Sequence, residues 1–134
     1  MQLHEDIHLV GSGSMGYGLS DAYDCHVFLI DGGTELALVD VGAGMGVERI
    51  VENIVRSGFD PKDVRTVIVT HCHADHAGGL ARLCRALDRP VVVGSSVTRE
   101  RLESADEHAV GLDIAKTAGY YPSDYVLEPH PVDT

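Results

Sequence analysis

Positive charge is scarce in this sequence. Lys62 and Lys116 are its only lysines, and the excess of carboxylates gives a formal net charge of −11 at pH 7. Nucleic acids and anionic membranes attract proteins mainly through lysine and arginine, so this balance disfavours both. We therefore expect no nucleic-acid partner and no membrane partner.

Signals for export, membrane insertion and disulfide formation are also missing. Met1 to Asp6 is polar and acidic, and no apolar run approaches the length of a membrane span. Cys25, Cys72 and Cys84 are an odd number of cysteines without CxxC spacing, which argues against a disulfide framework and a cysteine zinc site. These features predict a soluble, cytoplasmic protein. The 134 residues, 44% of them hydrophobic, suit one domain.

The first half of the chain predicts a hairpin and a helix. Apolar runs at 26–30 and 35–39 flank the turn-forming sequence Asp31-Gly32-Gly33-Thr34, which is typical of a β-hairpin. From Val47 to Val55, apolar residues recur at helical spacing, and Gly58 is a suitable stop.

The second half predicts strands joined by helices. Thr66–Thr70 and Val91–Val93 are short β-branched runs typical of strands buried on both faces, and a helical pattern at 80–87 lies between them. Ser95 and Ser96 can cap a helix to about Glu107, and another helical stretch covers 110–118. The order predicts an α/β fold: a mixed sheet with helices on one face and the other face still to be covered.

The most informative segment follows the first of these strands. His71, His73, Asp75 and His76 are four potential metal ligands within six positions. Neutral imidazoles and carboxylates suit Zn²⁺ or Fe²⁺, and in an extended backbone the alternate residues His71 and His73 point to one side. Asp75 and His76 could diverge from this pair toward a second metal. Gly78 and Gly79 were expected to let the backbone turn tightly into the next helix.

The segment His71-Cys72-His73-Ala74-Asp75-His76 resembles the HxHxDH signature of the metallo-β-lactamase superfamily. Asp24-Cys25-His26 with the hairpin, and Leu38-Val39-Asp40-Val41-Gly42, resemble the family's opening strands. His26 stands where many relatives have asparagine. The resemblance implies that the chain is one half of a four-layer αββα sandwich, the N-terminal half.

The resemblance also implies roles for the motif residues. His71 and His73 would bind one metal ion, and Asp75 and His76 a second, with two Zn²⁺ per intact site and Fe or Mn as other candidates. Water bound to such a metal becomes a nucleophilic hydroxide near neutral pH. Asp75 would be the catalytic residue that orients this nucleophile or accepts its proton. Asp40 is a candidate for holding a ligand in place, or else it only caps a loop.

Three further ligands of the family pattern have no match here. Relatives add a histidine for the first metal, a bridging aspartate and a late histidine, all in the second half of the fold. His130 is the nearest candidate, but its surroundings lack the expected turn sequence, and His4, His8 and His108 are interpreted as surface residues. We therefore expect residues 1–134 to form a C-terminally incomplete domain, with self-association possible through the uncovered sheet face.

Three functions remain open from the sequence. The first is a metal-dependent hydrolase that acts with a metal-activated hydroxide on an ester, thioester, lactone or similar bond of a small-molecule substrate. The second is an iron-dependent oxygenase on the same scaffold, similar to a persulfide dioxygenase. The third is a non-catalytic metal-binding or interaction domain.

Overall fold

Six strands in sequence order make the sheet that organises this protein. The computed structural model describes residues 1–134. The first four strands pair antiparallel, and the last two join in parallel. The strands are β1 (Gln2–His4), β2 (Ile7–Gly11), β3 (Val27–Asp31), β4 (Leu36–Val39), β5 (Val64–Ile68) and β6 (Val91–Val93). The predicted mixed sheet of an α/β fold is therefore confirmed.

The hairpin between β3 and β4 forms as predicted. Phe28 lies opposite Val39, and Asp31 lies opposite Leu36. Gly33 has φ of +85°, a conformation that favours glycine, and its N–H donates to Oδ1 of Asp31 at 2.8 Å. The strands β1 and β2 were not predicted from the sequence, in which only Met1 to Asp6 was read, as a polar and acidic segment. His8 on β2 is buried, with its ring against the edge of Phe59 at 5.0 Å, so its interpretation as a surface residue is wrong.

The helices lie between and after the parallel strands. They are α1 (Val47–Arg56), α2 (Ala74–Ala77), α3 (Leu80–Ala86), α4 (Ser96–Glu103) and α5 (Leu112–Thr117). Ser95 caps α4 as expected by accepting a hydrogen bond from the Thr98 N–H, but α4 ends at Glu103 rather than near Glu107. The β5 strand begins and ends two residues before the predicted range, after a 3₁₀ turn at Pro61–Asp63. Thr70 therefore lies after the end of β5 and not within it.

One face of the sheet carries the core. Leu29, Leu38, Val67 and Val92 lie side by side across the strands, and they belong to the same buried cluster as Ile50 of α1. Side chains of α3 belong to that cluster as well. This face is closed by helices of the chain itself.

The opposite face, called here the outer sheet face, is only partly covered. Its side chains form two cross-strand rows, and most of them are partly or fully exposed. The strands at 66–70 and 91–93 were predicted to be buried on both faces, but in this chain they are buried on one. The outer sheet face consists of Ile7, Phe28, Ile30, Ala37, Val39, Thr66, Ile68, Val91 and Val93.

The seventeen residues after α5, 118–134, form no helix or strand, but hydrogen bonds and ion pairs connect them to the sheet and to α3. The Asp133 N–H donates to the Val92 carbonyl at 2.8 Å, and the Val92 N–H donates to Oδ2 of Asp133 at 2.7 Å. Glu128 accepts from Arg82 and Arg85 on α3. This segment therefore follows the helices and ends beside β6. None of the five helices is long and apolar enough to cross a membrane.

The outer sheet face should make the 134-residue chain self-associate, because exposed apolar surface of this extent drives association. Replacing Ile7 and Val91 together by lysine puts two charges on its exposed edges, so association should decrease. Sedimentation velocity over a range of protein concentrations measures this. Val97→Lys on α4 is the matched control, since Val97 is 50% exposed and lies outside this face. A wild-type chain that stays monomeric throughout would contradict the prediction.

Candidate metal centre

The motif residues begin directly after the sheet, where the chain is extended. Cys72 and Ala74 point into the core, whereas His71 and His73, which alternate with them along the chain, face outward. This alternation puts the two imidazoles on one side, as the sequence predicted, with ring centroids 4.7 Å apart. The chain then turns into α2, a single helical turn that carries Asp75 and His76.

All four motif residues belong to one cluster. The ring of His76 lies 4.1 Å from that of His71, so His71 stands next to both other histidines of the motif. Oδ2 of Asp75 is 3.5 Å from Nε2 of His76. Three imidazoles and a carboxylate are thus close neighbours, although they do not form a group of ligand atoms within 4.8 Å of one another. That they bind metal ions stays a prediction.

A buried carboxylate, Asp40, orients two of these histidines. Asp40 accepts the Thr70 N–H and the Thr70 hydroxyl at 2.8 Å each, and Nδ1 of His76 lies 2.8 Å from its Oδ2. Because a carboxylate only accepts, Nδ1 of His76 must carry the proton. The Thr70 hydroxyl hydrogen is used on Asp40, so the Thr70 oxygen accepts from Nδ1 of His71 at 3.0 Å. In both rings Nε2 is left free to bind a metal.

The same contacts set the protonation of the rings. The hydrogen bond to Asp40 raises the pKa of His76, partly offset by burial. Burial, followed by the neighbouring His76 and His73, lowers the pKa of His71. His71 is therefore biased toward the neutral form, which is the form that binds metal ions.

A thiol that the sequence did not assign to the site also lies here. One ligand atom each of Cys25, Asp40 and His76 lies within 4.8 Å of the others. The Cys25 thiol contacts the carbonyl oxygen of His26 at 3.3 Å, and burial raises its pKa, with Asp40 and Asp75 adding to the effect. A thiol whose pKa is raised stays protonated, and a protonated thiol is a poor nucleophile.

Close packing explains the two glycines after the motif. The chain turns from α2 into α3 at these two residues, but their φ values of −61° and −87° are ones that any residue adopts, so the turn itself does not require glycine. A Cβ at Gly78 would lie 2.6 Å from the Ala43 carbonyl oxygen, and one at Gly79 would lie 2.9 Å from that of Val41. The glycines therefore let the motif pack against the loop that carries Asp40.

Two tyrosines fasten this contact from the C-terminal segment. The Tyr121 hydroxyl lies 2.8 Å from the Ala43 carbonyl oxygen and 3.1 Å from that of Ala74. The Tyr125 hydroxyl lies 3.0 Å from the Gly78 carbonyl oxygen. These residues come from the segment after α5, and no sequence motif signals their role.

The donors open onto a cavity of about 900 Å³. His73, Asp75 and His76 form part of its wall, with Asp40 and Thr70 beside them. His26, which stands where many relatives have asparagine, also lines the cavity. His130 does not line the cavity, and its backbone N–H donates to Leu102 at 3.3 Å. His4 and His108 are exposed, as expected.

The donor set fits a divalent metal ion. Imidazole nitrogens and a carboxylate are ligands for Zn²⁺ and Fe²⁺, and two of the imidazoles have Nδ1 engaged and Nε2 free. A carboxylate behind a histidine ligand is the usual arrangement for fixing the ring and its tautomer.

Comparison with known proteins identifies the family of this chain. The family model described as the metallo-beta-lactamase superfamily matches residues 20–134. The chain is 38% identical over 82 residues to Ribonuclease TTHA0252 of Thermus thermophilus, covering 61% of this chain and 19% of that protein. It is 33% identical over 72 residues to the flavo-diiron protein FprA2 of Clostridium acetobutylicum, covering 54% of this chain and 18% of that protein.

Solved structures show the same fold. A metallo-beta-lactamase of Cronobacter sakazakii with a HARLDQ motif superimposes with a TM-score of 0.73 at 22% identity, covering 99% of this chain and 45% of the other. At this identity the likeness shows the fold alone. The chain spans less than half of that structure and about a fifth of the curated relatives.

Asp40→Asn tests the orienting role of the carboxylate. Whichever way the new amide turns, one of its N–H groups faces the N–H of His76 or of Thr70, so the His76 tautomer or the loop must change. We expect zinc affinity to fall by about 10–100-fold, as for other groups behind metal ligands. Calorimetric zinc titration measures this, with far-UV circular dichroism to verify folding.

Asp63→Asn is the matched control. Asp63 is an exposed carboxylate at the end of the 3₁₀ turn, so this variant should bind zinc as the wild type does. Equal zinc affinity in Asp40→Asn and the wild type would mean that Asp40 serves only the loop.

Proposed function

The chain belongs to the metallo-beta-lactamase superfamily, and on that premise we propose that the protein containing it is a metal-dependent hydrolase. Its reaction is the hydrolysis of an ester, thioester, lactone or similar bond in a small molecule. The observation that carries this proposal is the cluster of His71, His73 and His76 beside Asp75, of which His73, Asp75 and His76 line a cavity.

In this proposal the motif residues hold two divalent metal ions, preferably zinc, with iron or manganese as the alternatives. His71 and His73 serve one ion, and Asp75 and His76 serve the other. Bound metal supplies a nucleophilic hydroxide at neutral pH and positive charge for the oxyanion that forms. Asp40 and Thr70 keep His71 and His76 in the tautomers that leave Nε2 free.

Asp75 is the proposed catalytic residue. Its side chain is 52% exposed and faces the cavity, in contrast to the buried Asp40, so it can reach a water molecule as well as a metal ion. One oxygen can bind the metal while the other orients the attacking water or accepts its proton. The reaction takes place in the cytoplasm in this proposal.

An iron-dependent oxygenase is the second candidate. The relative named as a flavo-diiron protein favours it, because that name associates this kind of scaffold with iron. The donors of the motif suit Fe²⁺ as well as Zn²⁺. Metal analysis of the protein purified without added metal separates the two candidates. Zinc with hydrolase activity supports the first, and iron with oxygen consumption supports the second. A metal-binding protein without either activity would be the third, non-catalytic alternative.

His73→Ala and Asp75→Ala test the ligand assignment. Each should remove metal binding at its own ion with little change in far-UV circular dichroism, since both side chains are exposed rather than part of the core. In the protein that contains this chain, each should also abolish turnover. Calorimetric zinc titration and an ester- or thioester-hydrolysis assay measure the two effects.

The 134-residue chain itself should bind zinc weakly and lack hydrolase activity, because two protein ligands per ion are fewer than the three of a typical catalytic zinc site. His108→Ala is the matched control, as His108 is an exposed histidine paired only with Asp113. Wild-type zinc binding in His73→Ala and Asp75→Ala would refute the assignment.

A further inference from the structure

Part of the wall of the cavity is apolar and exposed. Met15, Tyr23, Ile114 and Tyr120 are exposed large apolar side chains, and all four line this one cavity. The rings of Tyr23 and Tyr120 lie 5.2 Å apart. Exposed apolar side chains gathered at one concave site, rather than scattered singly, are typical of a ligand-binding surface.

No lysine or arginine lines the cavity. Its carboxylates are Asp24, Asp40 and Asp75, and its histidines are His26, His73 and His76. The nearby cation on α5, Lys116, is bound to Glu107 at 2.7 Å and does not line the cavity. Away from the motif, the phosphates of a polyanion therefore meet no lysine or arginine. The apolar wall and this lack of basic side chains favour an uncharged ligand.

We propose that this cavity takes an uncharged substrate whose aliphatic or aromatic group, on the acyl or the leaving side of the scissile bond, lies against Tyr23, Ile114 and Tyr120. The scissile carbonyl then faces His73 and Asp75, which line the same cavity, a placement that rests on the proposed function. In the reaction the bond from the carbonyl carbon to the leaving oxygen or sulfur breaks. Water supplies the hydroxyl of the new carboxylic acid and the proton of the leaving alcohol or thiol.

The size of the cavity agrees with this class. A volume of about 900 Å³ lies within the range of roughly 300–1,000 Å³ that is usual for small-molecule sites, so a whole acyl compound fits. Each methylene buried against the apolar wall should strengthen binding about fourfold. Affinity should therefore rise with acyl or alkyl length until the wall is covered.

The test is an NMR titration of the isotope-labelled 134-residue chain with N-butyl-, N-hexyl- and N-octylacetamide, which are neutral and are not hydrolysed during the measurement. A uridine dinucleotide is the phosphodiester probe. We expect affinity to rise with alkyl length and shifts to centre on Tyr23, Ile114 and Tyr120, with none there for the dinucleotide. Ile114→Glu and Ile114→Ala should both weaken octylacetamide binding, the first by at least about tenfold.

Val97→Glu is the matched control, because Val97 is likewise an exposed apolar residue on a helix but lies outside the cavity. It should bind octylacetamide as the wild type does. Dinucleotide shifts in the cavity, no alkylacetamide binding, binding that does not depend on Ile114, or shifts centred on Ile7, Thr66 and Val91 of the outer sheet face, which do not line the cavity, would each overturn the proposal.

Zinc titration of the same samples separates this inference from the proposed function. The apolar wall contains no motif ligand, so His73→Ala should lose the zinc ion assigned to His71 and His73 but keep octylacetamide binding. A chain that binds the acetamides in the cavity but has no affinity for zinc would refute the hydrolase and leave the apolar site intact. A chain that binds zinc at the motif but no acetamide would refute the acyl site alone.

Discussion

The carboxylate of Asp40 holds together the two loops from which the site is built. It follows β4, whereas Thr70 and His76, which donate to it, follow β5. Parallel pairing of β4 with β5 brings these strand ends together, and Asp40 adopts a left-handed conformation with φ of +62° that turns its side chain toward them. A single buried group thereby determines the position and tautomer of His76 directly, and those of His71 through Thr70.

Everything around this carboxylate serves to keep the two loops in contact. Gly78 and Gly79 allow the backbones to approach closely, and the hydroxyls of Tyr121 and Tyr125 lie on the carbonyls where they meet. Asp24 adds a further connection by accepting the Ala43 N–H at 2.7 Å. The apparently irregular C-terminal segment is thus part of the support of the site. The cavity lies on the open side of this assembly and is lined both by the donors His73, Asp75 and His76 and by apolar side chains.

Local sequence patterns were sufficient where the structure depends on local physics. The hairpin, α1, the parallel strands and the common side of His71 and His73 followed from turn chemistry and periodicity. The role of Asp40 beside a histidine was one of two open alternatives, and the hydrogen bond to His76 favours the orienting role. What could not be predicted depends on contacts between distant residues. The sequence did not predict β2, whose one polar side chain, His8, is buried against Phe59, and neither the nearness of Cys25 nor the tyrosine contacts has a sequence signature.

The central claim is that the free Nε2 atoms of the motif histidines, together with Asp75, bind the metal. X-ray absorption at the zinc edge of the zinc-loaded protein tests it most directly. The account predicts a shell of nitrogen and oxygen donors at about 2.0–2.2 Å with the outer-shell scattering of imidazole. That scattering should be weaker in His73→Ala. A shell dominated by sulfur at about 2.3 Å, or one of water oxygens without imidazole, would contradict the account.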